Sequence, residues 1–127
     1  CLDGGIADSI PYAYAQAQGF TKIVCIRTRQ RTYRKPPPSA GLRRAYQRAF
    51  SAYPEFVATA IARPKMYNHQ AETLQRLEKN GDVFVIAPAQ PVTVSRLERD
   101  PDKLSALHAT GMADAERQLA AMAHYLA

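Results

Sequence analysis

The residues best suited to chemistry stand at the start of the chain, where Asp3 is followed by Gly4 and Gly5. A carboxylate at the end of a strand, followed by glycines, falls where a loop lines the cleft beyond a sheet's C-terminal edge, and there it can serve as a general base. Asp-Gly is also among the commonest turn signals, so on these residues alone a structural aspartate stays open. Asp8 and Ser9 suit the cap of a helix that begins near Pro11. A Ser–His–Asp triad would need His69, His108 or His124 to reach Asp3, and all three are far from it in sequence. Cys1, Cys25 and the scattered histidines offer no ligand set at zinc spacing, so neither metal nor cofactor is expected. Cys25 lies in the apolar run 23–26 and reads as a buried, reduced thiol.

A second chemical feature is charge. Residues 1–54 carry nine Lys/Arg against two acids, and residues 55–127 carry eight against nine, which places a charge of +7 on the first part within a total of +6. Arg27, Arg29, Arg31, Arg34, Lys35, Arg43 and Arg44 have no acid among them. Such a run can meet phosphate on an anionic membrane surface, with Tyr33, Arg34 and Lys35 as a lip against lipid head groups. The plainer expectation is a solvated loop and an exposed helix face. Nucleic acid is not expected as a partner, because the cations are not interleaved with a stacking platform of aromatics.

The elements that must position these groups follow from periodicity. Cys1–Leu2 could close a strand, 3–5 is a turn, and 10–18 is a short helix with Pro near its start and Gly19 at its end. Residues 22–28 (KIVCIRT) form a continuous β-branched and apolar run, the pattern of a parallel strand buried on both faces. Together these make one βαβ crossover. A basic and then proline-rich loop follows to Gly41, and Leu42 to Tyr53 has the spacing of one helix face. Pro54 restarts the helix, Pro64 is expected to end that second piece, and a third helix from Tyr67 closes on Asn80-Gly81 as a left-handed cap. Residues 82–87 (DVFVIA) form the second strong strand, with 92–94 as a short extension or edge. Asp100-Pro101 caps a helix running to about His108 and stopping near Gly111, and a last helix carries Asp114 and Glu116 near its positive end.

The result is an α/β chain of about three mainly parallel strands and five or six helices, whose sheet is the edge of a wider one. With 46% apolar and 22% charged residues it has the make-up of a soluble globule, and no apolar stretch approaches the ~20 residues of a membrane span. A soluble, cytoplasmic chain is expected, peripheral to the membrane if its basic run meets lipid. The absence of an initiator Met and the abrupt start on Cys-Leu-Asp-Gly-Gly suggest a cut through a larger protein, and an exposed sheet edge would then favour a homodimer of the fragment.

The string LDGGIADSIP, followed by a helix ending in Gly, then KIVCIRTR and a Tyr-Arg-Lys-Pro element, resembles the bacterial branch of the patatin-like phospholipase family. Arg63, Tyr67-Asn68, the stretch 84–88 (FVIAP), the stretch 96–104 (RLERDPDKL) and Gly111 are similar in order, so the resemblance spans nearly the whole chain. It implies a three-layer α/β/α fold, with residues 1–35 ending the catalytic core and 36–127 a mostly helical extension. It also implies a lipid acyl hydrolase or esterase using a Ser–Asp dyad without histidine, with Asp3 as the dyad base and Gly4 and Gly5 completing its motif. The family's Gly-x-Ser-x-Gly elbow and oxyanion segment are missing: none of Ser9, Ser39, Ser51, Ser95 and Ser105 has the flanking glycines. The fragment alone is therefore expected to be inactive. The alternative is a non-catalytic interaction or membrane-surface-binding module.

Overall fold

The computed structural model describes residues 3–95 and 97–127. Asp3 leads into a single 3-10 turn, Gly4–Ile6, and then come α1 (Tyr12–Ala17), β1 (Val24–Ile26), α2 (Ala40–Ala49), α3 (Pro54–Asn80), β2 (Phe84–Ile86), α4 (Pro101–Glu116) and α5 (Leu119–Leu126). The fold is mixed helix and sheet, with β1 and β2 paired in parallel, Val24 opposite Phe84 and Ile26 opposite Ile86. The expected strand at Cys1–Leu2 lies outside the described residues.

α3 organises the molecule. Pro54 stands in its first turn, where a missing N–H costs nothing, and Glu55 faces the positive end of the helix. Tyr67, Ala71 and Leu74 recur at helical spacing and are buried against Ile10, Val83, Val85 and Ala87, which together form the core. α2 packs on the N-terminal half of α3 through Tyr46, Phe50 and Phe56, the last two with ring centroids 4.7 Å apart. Gly81 ends α3 with φ 82°, a left-handed geometry in which a side chain is strained although the space around it is open. Gly81→Ala is therefore expected to cost about 1 kcal/mol, read as a fall of a few degrees in melting temperature.

α3 does not stop at Pro64, which lies well inside it. An internal proline removes one helical hydrogen bond at a cost of roughly 3 kcal/mol. Here the turns on either side are held from outside, by Arg63 to the Gly5 carbonyl, Asn68 to Lys35 and Gln70 to Asp8. Gly111 likewise fails to end α4, since among the described residues only Gly19 and Gly81 have positive φ. The break comes at Arg117–Gln118, so Asp114 belongs to the C-terminal turns of α4 rather than to the start of the last helix. There it is buried, and its carboxylate receives the Ala89 N–H (3.1 Å) and the Arg117 guanidinium. Residues 92–94 form no strand.

The two strands have unlike edges. Phe84 N–H donates to the Ile23 carbonyl and Arg27 N–H to the Ile86 carbonyl (2.9 and 2.8 Å). Residues 23, 25 and 27 thus turn their backbone groups to β2, while Val24 and Ile26 turn theirs away. On β2 the outward carbonyl of Val85 is covered by Arg31 Nη2 at 2.6 Å. Among the described residues the open edge is β1, and Ile26 there is 74% exposed, contrary to a strand buried on both faces. At the other end Tyr125 of α5 ties the strand starts together: its hydroxyl receives the Ile23 N–H and donates to the Asp82 carbonyl. The C-terminal helix therefore closes the N-terminal end of the sheet and leaves the opposite end free. Among the described residues no helix is long and apolar enough to cross a membrane.

Candidate active site

Both strands run toward one end, and there the residues after them, Thr28, Arg29, Val92 and Val94, wall a cleft of about 510 Å³ that Asp3 also lines. Asp3 caps the 3-10 turn: its Oδ1 receives the Gly5 N–H at 2.8 Å. Oδ2 has no hydrogen-bond partner among the described residues, and the side chain is exposed. The glycines differ in duty. A Cβ at Gly5 would stand 3.3 Å from Asp3 Oδ1 and 3.6 Å from Arg63 Nη2, whereas Gly4 faces open space. Gly5 is thus the position that lets the carboxylate fold onto the turn.

The loop is fixed from a distance. Arg63 Nε donates to the Gly5 carbonyl at 2.9 Å, and Gln70 joins two points at once, donating to Asp8 Oδ1 and receiving the Ile10 N–H. Ser9 Oγ donates to the Gly5 carbonyl as well. Asp8 and Ser9 therefore do not cap α1, whose N-terminal residue Pro11 makes no side-chain cap bond. They tie the Asp3 loop to α3 and to itself.

The basic run is folded in, not solvated as a loop. Arg27 is buried, donating to the Tyr67 hydroxyl (3.1 Å) and the Arg31 carbonyl. Arg31 pairs with Glu78 on α3, and that hydrogen bond raises the guanidinium pKa further above its ordinary value. Arg34 turns onto α3, to Gln75 and toward Glu72, and does not line the cleft. Tyr33 and Lys35 do line it: the Tyr33 ring meets Tyr67 edge-on, and Lys35 Nζ lies 4.1 Å from the Tyr67 ring centroid. Arg43 and Arg44 stay exposed on α2. Cys25 is a free thiol, half-buried and not fully buried as its apolar run suggested; burial raises its pKa, with Arg27 opposing the shift and Glu78 adding to it.

The cleft thus brings together Asp3, Gly5, Tyr33 and Lys35 and adds Arg29, Arg63, Ser9 and Ser95. His69, His108 and His124 are all exposed and none lines it. A family model described as a domain of unknown function, DUF6363, matches residues 53–127. The chain belongs to the DUF6363 family. No curated protein and no solved structure matches it. The DUF6363 segment contributes α3, β2, α4 and α5. Asp3 and β1 lie before it, so the parallel pair joins a strand inside the segment to one outside. Arg63 and Gln70, which hold the Asp3 loop, are DUF6363 residues. Nothing local marks either of them for that task, because their partners lie 58 to 62 residues away.

Proposed function

We propose that this chain is the C-terminal part of a patatin-like serine hydrolase, a lipid acyl hydrolase or esterase in which Asp3 is the base of a Ser–Asp dyad. The observation that carries this reading is the state of the Asp3 carboxylate. One oxygen is tethered by the Gly5 N–H, the other is unengaged among the described residues, and Asp3 lines the cleft at the C-terminal ends of the strands. A base needs a free lone pair within hydrogen-bond reach of the proton it takes, and a fixed direction in which to present it. The tether gives the direction and Oδ2 gives the lone pair.

In the reaction Asp3 would take the proton of the serine hydroxyl as its oxygen attacks the acyl carbon, then return it to the departing alkoxide. Serine and oxyanion donors would come from a Gly-x-Ser-x-Gly elbow and a glycine-rich segment outside these 127 residues. Two features support further protein on the sheet. The outward backbone groups of Val24 and Ile26 have no partner among the described residues, and Ile26 is exposed beside them. The accessible surface, 9109 Å², also exceeds the about 6,700 Å² typical of a folded monomer of this mass. A sheet continued past β1 and covered by helices on both faces would be the three-layer fold.

The chain by itself is expected to show no hydrolysis of a short acyl p-nitrophenyl ester above the buffer rate. Turnover by the 127-residue chain that disappears in Asp3→Asn would overturn the division of the dyad.

A further inference from the structure

The Asp3 cleft does not end at its own walls. Val92, Val94 and Leu107 also line a second cleft, of about 630 Å³, between the 88–94 segment and α4. The two lobes differ in polarity. The first presents Arg29, Lys35 and Arg63 against one acid, Asp3. The second takes its apolar wall from Pro88, Pro91 and Ala106 together with the shared Val92, Val94 and Leu107. Its charged residues are satisfied by neighbours, Glu98 by Lys103 and Asp114 by Arg117. Arg29 joins the lobes, since its Nη1 donates to the Val92 carbonyl at 2.8 Å while the guanidinium lies over Tyr33.

We propose that the two lobes form one binding site for an anionic amphiphile. The apolar lobe receives an acyl chain and the basic lobe receives its anionic head group on Arg29 and Arg63. Each volume falls in the range of small-molecule sites, roughly 300–1,000 Å³. A guanidinium is the side chain best suited to hold a phosphate or carboxylate head, with two parallel N–H donors. The inference rests on the hydrolase reading only for the bond that is cut: an acyl ester bound this way has its carbonyl near the shared wall, on the Asp3 side. The DUF6363 segment supplies the acyl seat, and Arg29 and Arg63 make the site selective for an anionic head.

The test is calorimetric titration of the 127-residue chain with three probes, the amphiphiles being kept below micelle formation. Dodecyl phosphate carries chain and anion, dodecyltrimethylammonium the chain with a cation, and inorganic phosphate the anion alone. The expected result is dodecyl phosphate binding at least tenfold more tightly than either of the others. Equal binding of the two amphiphiles, phosphate binding as tightly as dodecyl phosphate, or no binding of dodecyl phosphate would each overturn the site. Arg29→Gln should weaken dodecyl phosphate about tenfold, a loss typical of one hydrogen bond to a charged group. Ala106→Trp, at an exposed position of α4 that fills the apolar lobe, should do the same while leaving the circular dichroism spectrum unchanged. Failure of both folded variants to alter binding would overturn it. Asp3-independent ester turnover by the full-length protein would remove the hydrolase reading yet leave dodecyl phosphate binding to stand. Asp3-dependent turnover without that binding would do the reverse.

Discussion

Asp3→Asn in the full-length protein is expected to lower kcat for ester hydrolysis by roughly 10²- to 10⁴-fold, the usual worth of a positioned general base. The substitution separates geometry from chemistry. An asparagine carbonyl can still receive the Gly5 N–H that Oδ1 receives at 2.8 Å, so the turn and the Arg63 contact to the Gly5 carbonyl persist. The other position becomes an amide nitrogen, which donates and cannot take a proton from a serine hydroxyl. KM and melting temperature should therefore change little while kcat falls. Steady-state kinetics with a soluble acyl ester, alongside a thermal melt, makes the comparison. A variant that turns over as fast as the wild type would leave Asp3 as a turn residue only.

Leu74→Ala carries the largest expected effect on stability. Leu74 is completely buried at the centre of the α3 face, with Tyr67 and Ala71 beside it and Val83, just before β2, and Val85 of β2 in the same cluster. Removing a buried leucine side chain loses its transfer energy and leaves a cavity, together about 2–5 kcal/mol. Total stabilities lie at about 5–15 kcal/mol, and the fully buried apolar set described here is small, so the change should remove a large share of the folded state's margin. Leu119→Ala is the control, because Leu119 is 49% exposed and its loss should cost less than about 0.5 kcal/mol. Urea melts followed by far-ultraviolet circular dichroism should show a much lower midpoint for Leu74→Ala and an unchanged one for Leu119→Ala. Equal midpoints would mean that the α3–sheet interface is not the core.

Much of the fold was legible because some signals are local. The runs 22–28 and 82–87 read as strands and their central residues, Val24–Ile26 and Phe84–Ile86, pair in parallel, Gly81 reads as a left-handed cap and is one, and Asp100 reads as an N-cap and receives the N–H groups of Asp102 and Lys103. What misled was local evidence overruled from elsewhere. Pro64 and Gly111 look like breaks, but the helices run through them because distant contacts fix the turns around Pro64 and because Gly111 lacks the positive φ of a cap. The cations of 27–35 look solvated because no acid stands among them. Their partners, Tyr67, Glu72, Gln75 and Glu78, lie a full element away on α3. Ile26 reads as buried because apolar runs usually are, but no described element covers its face of the two-stranded sheet, and it is 74% exposed.

For the candidate site, Asp3 was visible through its glycines, and Tyr33 and Lys35 share its cleft. Arg34, grouped with them by sequence, faces α3 instead. Arg63 stood out only as part of a resemblance, and its contact with the Gly5 carbonyl needed the fold to bring the two together.

The most direct test of the dyad is to treat the full-length protein with a serine-reactive fluorophosphonate and map the adduct by mass spectrometry, for the wild type and for Asp3→Asn. The expected result is a single labelled serine in a Gly-x-Ser-x-Gly elbow outside these 127 residues, formed at least a hundredfold more slowly in Asp3→Asn. This matches the general-base contribution of roughly 10²-fold or more. An adduct on Ser9 or Ser95, or equal labelling of both proteins, would contradict the assignment of Asp3 as the base.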